Sequence, residues 1–89
     1  MMRVDFSYIP PPRNLPAFPG LKPAKRKTPV QGGGGMRKRW KDQAGNIYEW
    51  DYQEGRVEKY DRRGRHLGEF DPNTGEPTKP AGPNRRIEP

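Results

Sequence analysis

From residue 36 onward, apolar and polar positions alternate in short runs with a period of two, the signature of half-buried β-strands. The clearest run is Ile47 to Gln53, in which Tyr48, Trp50 and Tyr52 share one side and Ile47, Glu49, Asp51 and Gln53 share the other. Turn signals separate the runs at Asp42-Gln43-Ala44-Gly45-Asn46, Glu54-Gly55, Arg62-Arg63-Gly64 and Pro72-Asn73-Thr74-Gly75. The pattern predicts strands over 36–41, 46–53, 56–61 and 65–71, with a fifth near 76–79. The connections are too short for helical crossovers, so the expected fold is mainly β, a small, highly twisted antiparallel meander. The aromatic side is the expected core, joined by Val57. A two-residue loop at Glu54-Gly55 would pair Gln53 with Arg56 and Tyr52 with Val57, setting Asp51 directly opposite Glu58. A three-residue bulged loop would instead shift the register by one and separate the two carboxylates.

The segment before the meander reads differently. Residues 1–35 carry prolines at positions 10, 11, 12, 16, 19, 23 and 29 and end in Gly32 to Gly35. Proline at that density removes amide donors and excludes helix, while the glycine run provides a hinge. An extended proline-rich N-terminal arm is therefore expected over 1–35, followed by a folded domain over 36–89 with an irregular C-terminal segment from Pro77. The apolar residues of the arm, Phe6, Tyr8, Ile9, Leu15, Phe18 and Leu21, could lie over the sheet; the alternative is a disordered linker.

Composition narrows the chemistry. With 89 residues, of which 28% are hydrophobic, the chain makes one small domain with a thin core. It has no cysteine and one histidine, His66, which excludes disulfides, thiolate metal sites and a histidine cluster. No metal or cofactor is expected. A formal net charge of +7 favours nucleic acid, an acidic protein or an anionic surface as partner. No apolar run is long enough to span a membrane, and the first residues lack the apolar core of a signal peptide.

Acidic residues on a basic chain are the informative exception. Asp51 and Glu58 would repel a polyanion held by the surrounding cations unless they act on it chemically. The plain structural reading is a surface ion-pair network with neighbouring Arg and Lys. The functional reading is RNA cleavage, in which a base takes the ribose 2′-hydroxyl proton, a cation stabilises charge on phosphorus and an acid protonates the departing 5′-oxygen. Two close carboxylates raise each other's proton affinity toward the range of a general base, and arginine adds a charge that does not titrate. The basic run Arg37-Lys38-Arg39 beside Trp40 suits phosphates, with Trp40 itself expected in the core.

The order of motifs resembles a known family. Gly32 to Gly35 before Met36-Arg37-Lys38-Arg39-Trp40, then Ile47-Tyr48-Glu49-Trp50-Asp51, Gln53, Glu58 and Tyr60, His66-Leu67-Gly68 with Phe70-Asp71-Pro72, Thr74-Gly75 and a closing Pro83-x-Arg85 are similar to the cytotoxic domain of cloacin and of the E-group colicin that cuts 16S ribosomal RNA. The likeness is close over about 32–87, with one residue fewer between Tyr60 and His66, and looser over the arm. It implies a monomeric, metal-independent ribonuclease toxin that cleaves 16S rRNA at the decoding centre. Such a toxin is released from a producer cell, acts in the cytoplasm of a target bacterium and is restrained by an acidic immunity protein. By the same resemblance Asp51, Glu58 and Arg85 are catalytic, Glu58 being the general base. Tyr60, His66 and Lys79 line the RNA-binding and active-site surface, and Arg37 and Arg39 belong to the RNA-facing strand.

Two positions depart from the family. Its catalytic histidine, three residues after the aspartate, is replaced here by Glu54, and Arg56 stands where the family carries an acidic residue. Glu54 could serve as the acid if carboxylates at 49, 51 and 58 raised its proton affinity. Otherwise His66 could take that role, or the domain binds RNA without cutting it.

Overall fold

The computed structural model describes residues 8–89, and among these it holds six strands and no helix. The strands are β1 (Lys22–Ala24), β2 (Arg39–Lys41), β3 (Ile47–Asp51), β4 (Arg56–Tyr60), β5 (His66–Phe70) and β6 (Pro77–Lys79). They hydrogen-bond in chain order as one antiparallel sheet. The expected meander is present, with one strand more than alternation showed. That strand, β1, comes from the arm and sets Pro23 opposite Trp40. Proline is tolerated there because β1 is an edge strand, where one side of the backbone needs no ladder partner.

Aspartates build the turns. Asp42, Asp51, Asp61 and Asp71 each stand where a strand gives way to its turn, and each turns a side-chain oxygen onto amides a few residues ahead. A short polar side chain that satisfies turn amides in this way lets the chain leave the ladder without orphaned donors. At the β3–β4 connection Asp51 Oδ1 accepts from Gln53 N–H at 2.9 Å and Glu54 N–H at 3.0 Å, and Gly55 closes the loop at φ +67°.

This turn corrects the expected register. The connection holds four residues, not two, so Asp51 pairs with Arg56, Trp50 with Val57 and Glu49 with Glu58. Asp51 therefore does not lie directly opposite Glu58 but diagonal to it. Because the shift is two residues, every side chain keeps its predicted face. Relief of charge follows: Asp51 faces an arginine, and the carboxylate opposite Glu58 belongs to Glu49, which is neutralised by Arg39.

The aromatic face forms the core, as alternation predicted. Leu15, Trp40, Tyr48, Trp50, Tyr52 and Val57 are buried together, with Phe18, Leu21 and Val30 packed against them. The arm thus supplies much of the cover for the sheet. It is also tied by backbone: Ile9 N–H donates to Tyr52 O at 2.7 Å, Trp50 Nε1–H donates to Ile9 O at 2.8 Å, and Ala17 N–H donates to Pro72 O at 3.0 Å. Tyr8 stacks on Tyr52 but stays largely exposed; Phe6 lies outside the described residues. The Gly32 to Gly35 run, expected as a hinge, forms the tip of the connection between β1 and β2. Val30 N–H donates to Gly35 O at 2.8 Å and Arg37 N–H to Thr28 O at 2.7 Å across it. Among the described residues no helix is long and apolar enough to cross a membrane.

Candidate active site

The opposite face of the sheet is polar and yet closed. Glu58, at the middle of β4, is only 3% exposed, and across from it on β5 stand His66 and Glu69. Strict alternation would put His66 and Glu69 on different faces. The ladder slips between Lys59 and Tyr60, so that Tyr60 pairs with His66 while Glu58 pairs with Glu69, and both β5 side chains reach the polar face. Gly68, at φ +143°, lies inside this bulge, where a residue with a side chain would be strained.

A hydrogen-bonded chain runs through the site. His66 Nε2 lies 2.7 Å from Glu58 Oε1, and the Gly82 amide N–H donates to His66 Nδ1 at 2.8 Å. Arg85 Nη1–H donates to the same Glu58 oxygen at 3.4 Å, while its Nη2–H donates to Tyr60 Oη at 3.1 Å. Arg85 reaches this place because the C-terminal segment pairs with the start of β5: His66 N–H donates to Arg85 O, Ile87 N–H donates to Gly64 O, and Arg65 bridges to Arg86. The Arg85 side chain is about half exposed while its guanidinium touches buried Glu58.

Three carboxylates converge here. One oxygen each from Asp51, Glu58 and Glu69 lie within 4.8 Å of one another, a spacing that could hold a divalent cation. Positive side chains already occupy the surroundings, with Arg85 on Glu58 and Lys79 Nζ 3.8 Å from Glu69. Thr78 Oγ1–H donates to the other Glu69 oxygen at 2.6 Å.

Burial pushes the Glu58 carboxyl above the usual carboxylate range. The His66 hydrogen bond and the Arg85 charge pull it back down, while the Glu69 charge adds to the rise. Tyr60 is likewise pushed up by burial, with Arg85 pulling the other way. The site therefore holds a carboxylate that is easier to protonate than a surface glutamate, next to a permanent cation. That combination suits proton abstraction beside a phosphate.

The residues predicted from sequence fall into two groups. Asp51, Glu58, Tyr60, His66 and Arg85 come together on this face, with Lys79 exposed at its rim on β6. Glu54 stands apart, exposed on the β3–β4 turn, with no side-chain hydrogen bond or ion pair to another described residue. Arg37 is half-buried. Arg39 is 1% exposed, its guanidinium 2.7 Å from Glu49 and 3.2 Å from Thr28 Oγ1, so it presents no free surface to a nucleic acid; it compensates the fully buried Glu49. Sequence reading passed over Glu69 and Gly82. Gly68 within a strand was the available hint for Glu69, since it marks the bulge that turns that side chain inward; nothing local marked Gly82, whose partner lies sixteen residues away.

A single antiparallel sheet with one face sealed by an arm, and the other gathering carboxylates, a histidine and an arginine, defines a small all-β domain equipped for acid–base chemistry on an anionic substrate. Residues 9–88 match the family model described as Cytotoxic, and the chain belongs to that family. It is 47% identical over 85 residues to colicin E3, 48% over 84 residues to cloacin and 45% over 85 residues to colicin-E6, all from Escherichia coli. These alignments cover 90% or more of this chain but 15% of each relative, so the chain corresponds to the cytotoxic region of far longer proteins.

Proposed function

We propose that this domain is the ribonuclease of a bacteriocin toxin and that it cleaves 16S ribosomal RNA at the decoding centre, stopping translation. The observation that carries the reading is the buried Glu58 carboxylate, bonded to His66 and backed by Arg85, in a chain of +7 net charge related to colicins and cloacin. Glu58 takes the proton from a ribose 2′-hydroxyl. The 2′-oxygen attacks the adjacent phosphorus, the bond to the 5′-oxygen breaks, and that oxygen takes a proton from solvent water, giving a 2′,3′-cyclic phosphate and a 5′-hydroxyl. Arg85 neutralises charge on the phosphorane; removing such a group typically costs about 10²–10³ in rate. Asp51 shapes the turn beside Glu58 and adds to the carboxylate field, and Lys79 supplies a rim charge for the RNA backbone. The side chains alone provide base and clamp, so no metal is assigned a step.

Two partners follow from the same reading. The ribosome is the substrate, met in the cytoplasm of a target bacterium by a monomer released from a producer cell. An acidic immunity protein would cover the basic surface in the producer. The test is to incubate the protein with intact 70S ribosomes in EDTA and look for a discrete 3′ fragment of 16S RNA. Wild type should release it and Glu58→Ala should not; absence of the fragment from wild type, or its release by Glu58→Ala, would overturn the mechanism.

Glu54 favours a second reading, in which the domain binds RNA with little or no cutting. It occupies the family's histidine position and sits exposed on the turn. In that case ribosome binding survives the double change of Asp51 and Glu58 to Ala, and wild type yields no fragment.

A further inference from the structure

We infer that the backbone amide of Gly82 fixes His66 as its Nε2–H tautomer, so that His66 is a positioning residue for the Glu58 carboxylate and not the donor of a proton to the leaving oxygen. The inference rests on the ribonuclease reading for its consequence, but not for its geometry.

A neutral imidazole has one N–H and one lone pair. The Gly82 N–H points at Nδ1 from 2.8 Å, so that nitrogen must present its lone pair. An amide neither titrates nor rotates to become an acceptor, so the assignment is made by the chain itself. The ring proton is left on Nε2, 2.7 Å from Glu58 Oε1, and donates to it. Both nitrogens are then engaged, and the His66 side chain is 2% exposed, with the Tyr60 ring edge-on to it at 5.2 Å between centroids. No ring nitrogen is free to meet a 5′-oxygen. A second proton on Nδ1 would point straight at the Gly82 N–H. Among the described residues, the titratable groups in contact with the ring are Glu58 and Tyr60 from β4; Arg85 from the C-terminal segment bonds both of these, and Glu69 on the ring's own strand pairs with Glu58.

Space explains the glycine. A Cβ at position 82 would lie 2.8 Å from Arg85 Cδ, 3.0 Å from Arg85 Cγ and 3.4 Å from His66 Nδ1. Without it, the amide approaches the imidazole while the Arg85 stem passes alongside. One residue thereby sets the tautomer of His66 and leaves room for the phosphate clamp.

The test has two arms on the full chain. Long-range ¹H–¹⁵N correlation of the single histidine, recorded where the ring is neutral, should show an unprotonated Nδ1 and a protonated Nε2; a neutral ring with its proton on Nδ1 overturns the inference. Cleavage by His66→Ala and His66→Gln is then compared on RNA and on uridine 3′-(4-nitrophenyl) phosphate, whose leaving group needs no proton. A positioning role predicts that Ala loses about 10- to 100-fold on both substrates, the size of one charge-assisted hydrogen bond, and that Gln, which keeps a donor, recovers part of it. Loss on RNA alone, with the ester unaffected, would make His66 the acid and overturn the inference. Inertness of wild type toward both substrates would overturn the ribonuclease reading and the positioning role with it, whereas a neutral ring with its proton on Nδ1 in an active enzyme sinks this inference alone.

Discussion

At the scale of residues, the site is a balance of opposing shifts on Glu58. A general base must be ionised, so the rate should rise with pH through the folded-state value of Glu58, which burial holds above the ordinary carboxylate value of about 4.3. Glu69→Gln removes one cause of that rise and should move the acidic limb of the kcat/KM profile to lower pH. Arg85→Ala removes a cause that lowers it, and should move the limb to higher pH as well as slowing the reaction. Profiles on the nitrophenyl ester measure both; limbs that stay put, or move the other way, would show that Glu58 is not the base. Glu54 offers a separate test. With His66 committed to Glu58, Glu54→His places a ready proton donor on an exposed turn and should raise RNA cleavage by roughly tenfold or more, the lower part of the range for general acid catalysis. No gain would mean that the turn does not reach the leaving oxygen. The residues legible beforehand were those carried by motif: Asp51, Glu58, Tyr60, His66 and Arg85. Glu69 and Gly82 were not, because their roles depend on a bulge and on a contact made by a distant backbone amide. Arg39 was legible as a cation but not as a buried one, since basic runs look alike whether they face solvent or a buried glutamate.

Among the elements, period-two alternation settled which faces β3 and β4 bury, but not the face of Glu69, which the bulge in β5 turns inward beside His66, nor how far the strands slide. Register depends on loop geometry, and here the Asp51 carboxylate captures two amides and ends β3 before Tyr52. Because side-chain period and slip are both two, the faces of β3 and β4 came out right although the partners did not. β1 was hidden for a different reason: three residues centred on a proline carry no alternation, and only pairing with β2 makes them a strand. The C-terminal segment is the element on which the site depends most. It is held by Gly64, at φ +85°, where a Cβ would come within 2.1 Å of Ile87 O. Gly64→Ala should therefore push the segment off β5 and take Arg85 away from Glu58. The positive φ adds about 1–2 kcal/mol of strain. The expected outcome is a modest loss of stability in urea with a loss of cleavage near that of Arg85→Ala. Unfolding without a separable activity defect would show that the segment serves the fold alone.

For the whole molecule, the two faces of the sheet impose different demands. The polar face keeps Arg85 and Lys79 in contact with solvent around its buried carboxylates, whereas the aromatic side chains of the other face need apolar cover. The arm meets that need, with Leu15 3% exposed in the middle of the aromatic cluster and Phe18 and Leu21 beside it. Leu15→Ala should then destabilise the domain by about 2–5 kcal/mol, as for a buried leucine in a core that cannot fully collapse. Lys25→Ala, at an exposed arm position, should stay within about 0.5 kcal/mol. Urea denaturation followed by the fluorescence of Trp40 and Trp50, both buried against the arm, measures the difference. If Leu15→Ala proved as harmless as the lysine change, the arm would be a tether laid over a self-sufficient sheet. A large effect would make the first third of the chain part of the folding unit, with a consequence for the site. Trp50 precedes Asp51 on β3 and pairs with Val57 beside Glu58, so loosening the aromatic face should loosen the carboxylates behind it. Cleavage by Leu15→Ala should accordingly fall with temperature well before wild type does, without a change in the pH limb set by Glu58.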